Sequence, residues 1–245
     1  VKPKYAVARV LRSLSQSPLR TDPFCPVFGT CGGCQLQHFS YPAQLAWKRD
    51  TLRTALVRIG GFADIEVRDT IGMAVPKGYR NKMSLVADRA ARDALPTFGF
   101  YRQRSHEVVP IDACPIVTPQ LSGYVSRLST AASDPSTAAA LNEARHVVAR
   151  SAQAGGHAVV TITTAHQTNA AKEAAAALMA ELPGAVGVTN SFDLRSENAI
   201  LGRRQRLLAG TDEIEETIDG IRYRVSAGSF FQVNVEMVAR IFDLL

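Results

Sequence analysis

The stretch Cys25-Pro-Val-Phe-Gly-Thr-Cys31-Gly-Gly-Cys34 is answered far downstream by Cys114-Pro-Ile, and these are all four cysteines of the chain. A C-x5-C-x2-C triplet plus one remote cysteine supplies four thiolates to one centre. Soft ligands grouped in this way select an iron–sulfur cluster or zinc over a hard cation. Gly29, Gly32 and Gly33 let the backbone wrap closely around such a centre. Pro26 and Pro115 stiffen the chain where it leaves it. Structural zinc sites usually pair C-x2-C with a second close pair or with two histidines. Here the fourth ligand is solitary, so the spacing favours a 4Fe-4S cluster, with zinc as the rival. Two disulfides are the poorer reading, because no secretory leader is visible and a chain of this size needs no staples.

The 245 residues are 46% hydrophobic and 20% charged, a globular composition with room for one large domain or two smaller ones. No stretch approaches the length of a membrane span. Nothing in the sequence marks an obligate protein partner. The net charge of +6 is unevenly placed. Residues 1–127 carry 18 Lys/Arg and 9 Asp/Glu, whereas residues 128–245 carry 10 and 13. A basic half beside a mildly acidic one suggests a polyanion as partner. Thiolate ligands imply a reducing compartment, hence the cytoplasm.

Residues 5–11 read as a strand, and 17–36 as a loop around the cysteine triplet. A helix is expected over 40–59, with Ser40 as N-cap, Pro42 in its first turn, and Leu45, Leu52, Leu56 and Ile59 on one face. Alternation predicts strands over 83–88 and 97–104. Helices are expected near 119–132 and 136–148. A strand over 157–164, a helix over 169–182 and a strand over 184–192 follow. Short strands are predicted at 198–202, 206–209, 213–218 and 221–226. Asn234 then caps a last helix, with Glu236 in its first turn.

Three further features fall in a telling order. Cys34 is followed by Gln-Leu-Gln-His38, then come Gly78-Tyr-Arg-Asn-Lys-Met83 and Ser229-Phe-Phe-Gln-Val-Asn234. Together with the cysteines, they resemble the iron–sulfur class of RNA (uracil-5-)-methyltransferases, whose best known members modify uridines in 23S ribosomal RNA. The resemblance implies an α+β protein with a central iron–sulfur domain of mixed sheet and helices, over residues 17–36 and 69–228. It implies that residues 1–16 are the last strand of an N-terminal TRAM barrel. Residues 37–68 and 229–245 would pack with, or begin, a Rossmann-like methyltransferase domain. On this reading the chain is a fragment, cut at both ends.

The implied reaction moves a methyl group from S-adenosylmethionine to carbon 5 of a uridine, a step of rRNA processing. A tRNA target, or a non-catalytic RNA-binding module with a cluster or zinc, is the alternative. Uracil carbon 5 is a poor nucleophile until a cysteine thiolate adds to carbon 6, and that thiolate must be free. With Cys25, Cys31, Cys34 and Cys114 committed to the metal, no catalytic residue is expected within these residues, and the fragment alone should be inactive. By resemblance, Gln232 contacts S-adenosylmethionine. Phe230 or Phe231 could stack on an extruded base, although core packing suits at least one of them. Arg80 and Lys82, and Arg102 and Arg104 on the next strand, are candidate RNA contacts. His38 is read as structural.

Overall fold

The computed structural model describes residues 6, 8, 11–91, 94–170, 172–196 and 199–245. The chain divides into two compact units: Val1–Phe24 with Gln35–Gly72, and Cys25–Cys34 with Met73–Leu245. Most of the strand expected over 1–16 lies outside the described residues, and 11–16 form no regular element.

The smaller unit is organised by one helix, α1 (Tyr41–Arg58). Pro42 lies in its first turn as expected, but the Ser40 side chain makes no capping hydrogen bond. Gln44 takes over the task of tying down the entry. Its amide donates to the carbonyls of Leu36 (3.0 Å) and Phe39 (2.7 Å). No residue of α1 is buried, and of the residues sharing one face Leu52 and Ile59 are exposed. The physical reason is composition. Lys48, Arg49, Arg53 and Arg58 interrupt the leucine spacing, and the unit has too few apolar residues to cover the helix. Arg49 is held by Asp69 (2.6 Å) and Asp50 (3.1 Å).

The larger unit is a mixed α/β body around a seven-stranded sheet. In chain order its strands are β1 (Lys82–Asp88), β2 (Thr97–Tyr101), β3 (Val108–Pro110), β4 (His146–Ser151), β5 (Ala158–Thr163), β6 (Ala185–Phe192) and β7 (Arg204–Gly210). They lie in the order β3-β2-β1-β4-β5-β6-β7. All neighbours are antiparallel except β5 and β6, which are parallel and joined through helix α4 (Lys172–Glu181). A parallel pair requires such a crossover. Helices α2 (Pro119–Ser133) and α3 (Pro135–Leu141) pack with α4 on one face, over Leu85, Val147, Val160, Ile162 and Val188. Strand alternation sends Val159 to the other face. There it meets Ile214 and Val225 of the hairpin β8 (Glu213–Ile218) and β9 (Ile221–Ser226). A last helix, α5 (Val235–Phe242), is capped by the Asn234 side chain, which accepts from Met237 N–H at 3.2 Å.

Two expected elements are corrected. The helix expected to run to residue 148 ends at Leu141, and β4 takes its place. Asn142-Glu-Ala-Arg145 reads as helix, but β-branched Val147 and Val148 sit between β1 and β5, where strand geometry suits them. The strand expected over 198–202 is not present in 199–202. Gly202 lies so close to the Phe192 carbonyl that a Cβ would stand 1.8 Å from its oxygen, and its N–H donates to Ser191 Oγ (2.8 Å). The chain is therefore held as a loop against the end of β6.

Candidate functional site

The Gly78–Met83 motif threads between the two other motifs. On one side Gly78 N–H donates to Pro115 O (3.0 Å), Arg80 N–H to Ile116 O (2.9 Å), and Thr118 N–H to Arg80 O (3.0 Å). On the other, Asn81 N–H donates to Val233 O (2.9 Å) and its side-chain amide to Gln232 O (3.3 Å). Arg80 bridges both neighbours, pairing with Val117 and with Asn234. Residues 78–81, Cys114–Val117 and Gln232–Asn234 thus form one hydrogen-bonded knot. Asn81 is buried at its centre, with Oδ1 unpartnered among the described residues.

The cysteine loop, residues 25–34, is built from successive turns. Phe28 N–H donates to Cys25 O, and Thr30 and Cys31 N–H to Val27 O. It is fastened to the end of β2 by Gly32 N–H to Tyr101 O (2.9 Å) and by the pairing of Cys31 with Arg102. Only glycine fits at 32, because a Cβ would stand 2.8 Å from Tyr101 O. None of the four cysteines forms a disulfide, and all are half-buried. Burial pushes the Cys114 thiol up, the backbone N–H groups of Ile116 and Val117 pull it down, and Cys34 and Cys25 push it up again. Among the described residues, no three His, Cys, Asp or Glu side chains are set to hold a single metal ion.

Beside the knot lies a set of cations. Arg80 is half-buried, and its Nε donates to Lys82 O (3.0 Å). Burial lowers the pKa of Lys82 below the usual ammonium value, and the charges of Arg150 and Arg80 lower it further. Arg150, on β4, is 3% exposed, and burial lowers its pKa too. Its Nη2 donates to Ser229 O (3.1 Å), its Nη1 reaches Phe231 O at 3.5 Å, and its Nε is unpartnered. No carboxylate pairs with the three cations among the described residues. A buried cation without a counter-charge is costly, and these three lie together without one among the described residues. Arg150 carried no signal in the sequence, being one arginine inside an apolar strand.

The remaining candidates separate. Phe231 packs against Tyr223, with ring centroids 5.7 Å apart, whereas Phe230 is 85% exposed beside it. The Gln232 side chain is exposed. Arg102 and Arg104 do not lie on a strand, because β2 ends at Tyr101. Arg102 is held by Glu107 through two contacts of 2.8 Å, and Arg104 occupies a turn with φ of 59°. No described helix is long and apolar enough to cross a membrane.

No family model matches the chain. It is 34% identical to an uncharacterized RNA methyltransferase of Halalkalibacterium halodurans over 249 residues, 99% of this chain and 54% of that protein. It is 35% identical to another of Gloeobacter violaceus over 253 residues, 98% of this chain and 54% of that protein. The chain thus spans about half the length of the curated relatives it matches. The crystal structure of Pyrococcus abyssi tRNA (uracil-54, C5)-methyltransferase in complex with S-adenosyl-L-homocysteine superposes with a TM-score of 0.70. The match covers 98% of this chain and 56% of that one, at 21% identity. Across nearly its whole length, then, the chain is similar to about half of an RNA methyltransferase, and it shares the fold of part of a uracil-C5 enzyme.

Proposed function

We propose that these residues form the cluster-bearing, RNA-contacting part of a cytoplasmic S-adenosylmethionine-dependent RNA (uracil-5-)-methyltransferase acting on 23S rRNA. The observation that carries this reading is the knot at Asn81, which joins three motifs distant in sequence. Motifs brought together by backbone pairing serve one site. Arg80 and Lys82, with Arg150 behind them, are the phosphate contacts, and exposed Phe230 offers a stacking face for a base. Gln232 faces S-adenosylmethionine. The segments 37–68 and 229–245 pack with the methyltransferase domain.

Cys25, Cys31, Cys34 and Cys114 hold a 4Fe-4S cluster. The donor set fits it in two respects. Cys114 is close enough to Cys34 and Cys25 for their charges to couple, and two backbone N–H groups already point at its sulfur. Burial raises the pKa of Cys114, and the positive charge of a metal centre would favour its thiolate. Structural zinc sites usually pair C-x2-C with a second close pair, whereas here the fourth ligand is solitary. When bound, the cluster fixes the loop and needs no redox step. The thiolate that attacks carbon 6 and most of the cofactor site then belong to residues outside these 245.

The test is methylation by the protein at the full length of its relatives, with labelled S-adenosylmethionine and either 23S rRNA or tRNA. Label in 5-methyluridine of 23S rRNA is expected, with none from these 245 residues alone. Product on tRNA only would overturn the assigned target. Product formed by these residues alone would overturn the commitment of all four cysteines to the cluster.

A further inference from the structure

The far end of the sheet, away from the knot, holds a second feature. A cavity of about 740 Å³ opens among Arg145, His166, Gln167, Phe192, Asp193 and Arg204. Ligand pockets span about 300–1,000 Å³. Arg145 directly precedes β4 and Arg150 lies near its end, so the cavity is roughly 17 Å from the cation set at strand rise.

Buried polar side chains of β5 and β6 hold the loops that line it. Asn190 is fully buried in β6. Its amide donates to Ile162 O (3.0 Å) and Thr164 Oγ1 (2.8 Å), and its carbonyl accepts from Thr168 N–H (3.1 Å). That pins the loop carrying His166 and Gln167. Opposite, Thr163 Oγ1 donates to Ile200 O (2.7 Å) and Ser191 Oγ accepts from Gly202 N–H (2.8 Å), pinning the loop after β6. Buried polar groups are tolerated when paired, and here each pairing fixes a loop at the same mouth. Loops held by a rigid scaffold are where binding residues gather.

The mouth is positively charged. Asp193 is occupied by Arg203 (3.3 Å). Arg204 lies over the Phe192 ring, 5.1 Å from its centroid. Neither Arg204 nor Arg145 pairs with a carboxylate among the described residues. Both are exposed, as are His166 and Gln167. Two open guanidiniums match a phosphate. A glutamine amide beside them offers both a donor and an acceptor, as a base edge requires.

We propose that this cavity binds one phosphate-bearing ribonucleotide and is a second foothold for the RNA strand. Arg145 and Arg204 hold the phosphate, and His166 and Gln167 meet the base. The inference rests on the RNA-binding reading above and extends the RNA path to the other end of the sheet.

The test compares the parent with Arg145→Gln/Arg204→Gln. The probes are a fluorescein-labelled single-stranded oligouridylate, titrated across salt, and free uridine 5′-monophosphate. The double variant should bind the oligonucleotide about tenfold more weakly at low salt. Its slope of log affinity against log salt should flatten by ~0.7, the contribution of one phosphate contact on a single strand. Arg222→Gln/Arg224→Gln, two exposed arginines facing Glu215 and Glu213, should match the parent. Unchanged affinity and slope in Arg145→Gln/Arg204→Gln, with binding lost in Arg80→Ala/Lys82→Ala, would overturn the foothold and leave the main site standing. Saturable nucleotide binding that depends on Arg145 and Arg204, with RNA indifferent to them, would also overturn it and assign the cavity to a free nucleotide. Salt-independent, equal binding by every variant would sink both readings together.

Discussion

Replacing Arg150 by methionine should separate stability from function. Arg150 is 3% exposed, and its one well-formed hydrogen bond runs from Nη2 to Ser229 O at 3.1 Å. The contact to Phe231 O at 3.5 Å is too long to add much. Loss of a charged hydrogen bond costs about 1.5–3 kcal/mol. Against that stands repulsion from Lys82, visible as the lowering of the Lys82 pKa by Arg150. Lys82 and Arg150 are directly paired across β1 and β4, and repulsion between like charges this close is of the same order, a few kcal/mol at an effective dielectric near ~20. The unpartnered Nε adds a desolvation cost that methionine does not carry. These effects nearly cancel, so Arg150→Met should change stability by no more than about 1 kcal/mol, or ~2–4 °C in Tm for a body of this size. RNA affinity should nevertheless fall, because the strap 229–231 loses its tether and the anion site its deepest charge. The pKa of Lys82 should rise toward its ordinary value, readable by NMR of methylated lysines. A buried ion that stabilises through a true partner costs about 3–5 kcal/mol to remove. A Tm drop of more than roughly 8 °C, with Lys82 titrating as before, would show that Arg150 is a structural cation and refute the stored like-charge set.

Three further outcomes follow from single residues. Protein purified without oxygen should be brown and carry iron and sulfide, and colourless protein with stoichiometric zinc would contradict the cluster. Gly32→Ala should lower the iron content and destabilise by ~1–3 kcal/mol, as overpacking against a backbone does; iron content equal to the parent's would show that the Gly32–Tyr101 contact does not shape the loop. His146 is buried with Nδ1 unpartnered, and burial, then the Arg145 charge, lowers its pKa below 6.5. The unfolded chain therefore binds a proton at higher pH than the folded one, so stability from this group is present above pH 6.5 and lost as pH falls below it. The loss runs at up to ~1.4 kcal/mol per pH unit, and His146→Gln should flatten urea-melt stability between pH 6.5 and 5.

Local patterns were legible where alternation was clean. The alternation in 83–88 and 97–101 predicts β1 and β2 where they occur, and Asn234 caps α5 as its position before an acidic first turn suggests. Legibility failed where local propensity and tertiary context disagree. Asn142-Glu-Ala-Arg145 favours helix, yet the buried Val147 and Val148 require a central strand. The leucines of α1 repeat correctly, but spacing does not say whether anything lies opposite them. The knot itself was beyond reach. The motifs could be seen, but their joining rests on Arg80 pairing with Val117 and Asn234, contacts spanning up to 154 positions in sequence. The far cavity draws its lining from 145 to 204 and shows no motif at all.

The connections in the larger unit show what the proposed cluster would hold without any electron transfer. The loop 25–34 is fastened to the end of β2 through Gly32 and Tyr101, and Cys114 leads directly into Pro115, Ile116 and Val117. Those residues hold Gly78 and Arg80, and Asn81 in turn holds Gln232 and Val233. A cluster on the four thiolates would therefore lock the first of these joints, and each later joint is a backbone pairing that transmits position. Loss of the metal should be felt at Arg80 and Gln232 before it is felt in the helix-covered core, which has its own contacts through Leu85, Val147 and Ile162. Hydrogen exchange can separate the two. With the cluster stripped, the Arg80, Asn81 and Thr118 amides should lose protection while those of β5 keep it. Equal loss across both would mean that the centre supports the whole fold and does not specifically set the RNA-facing end.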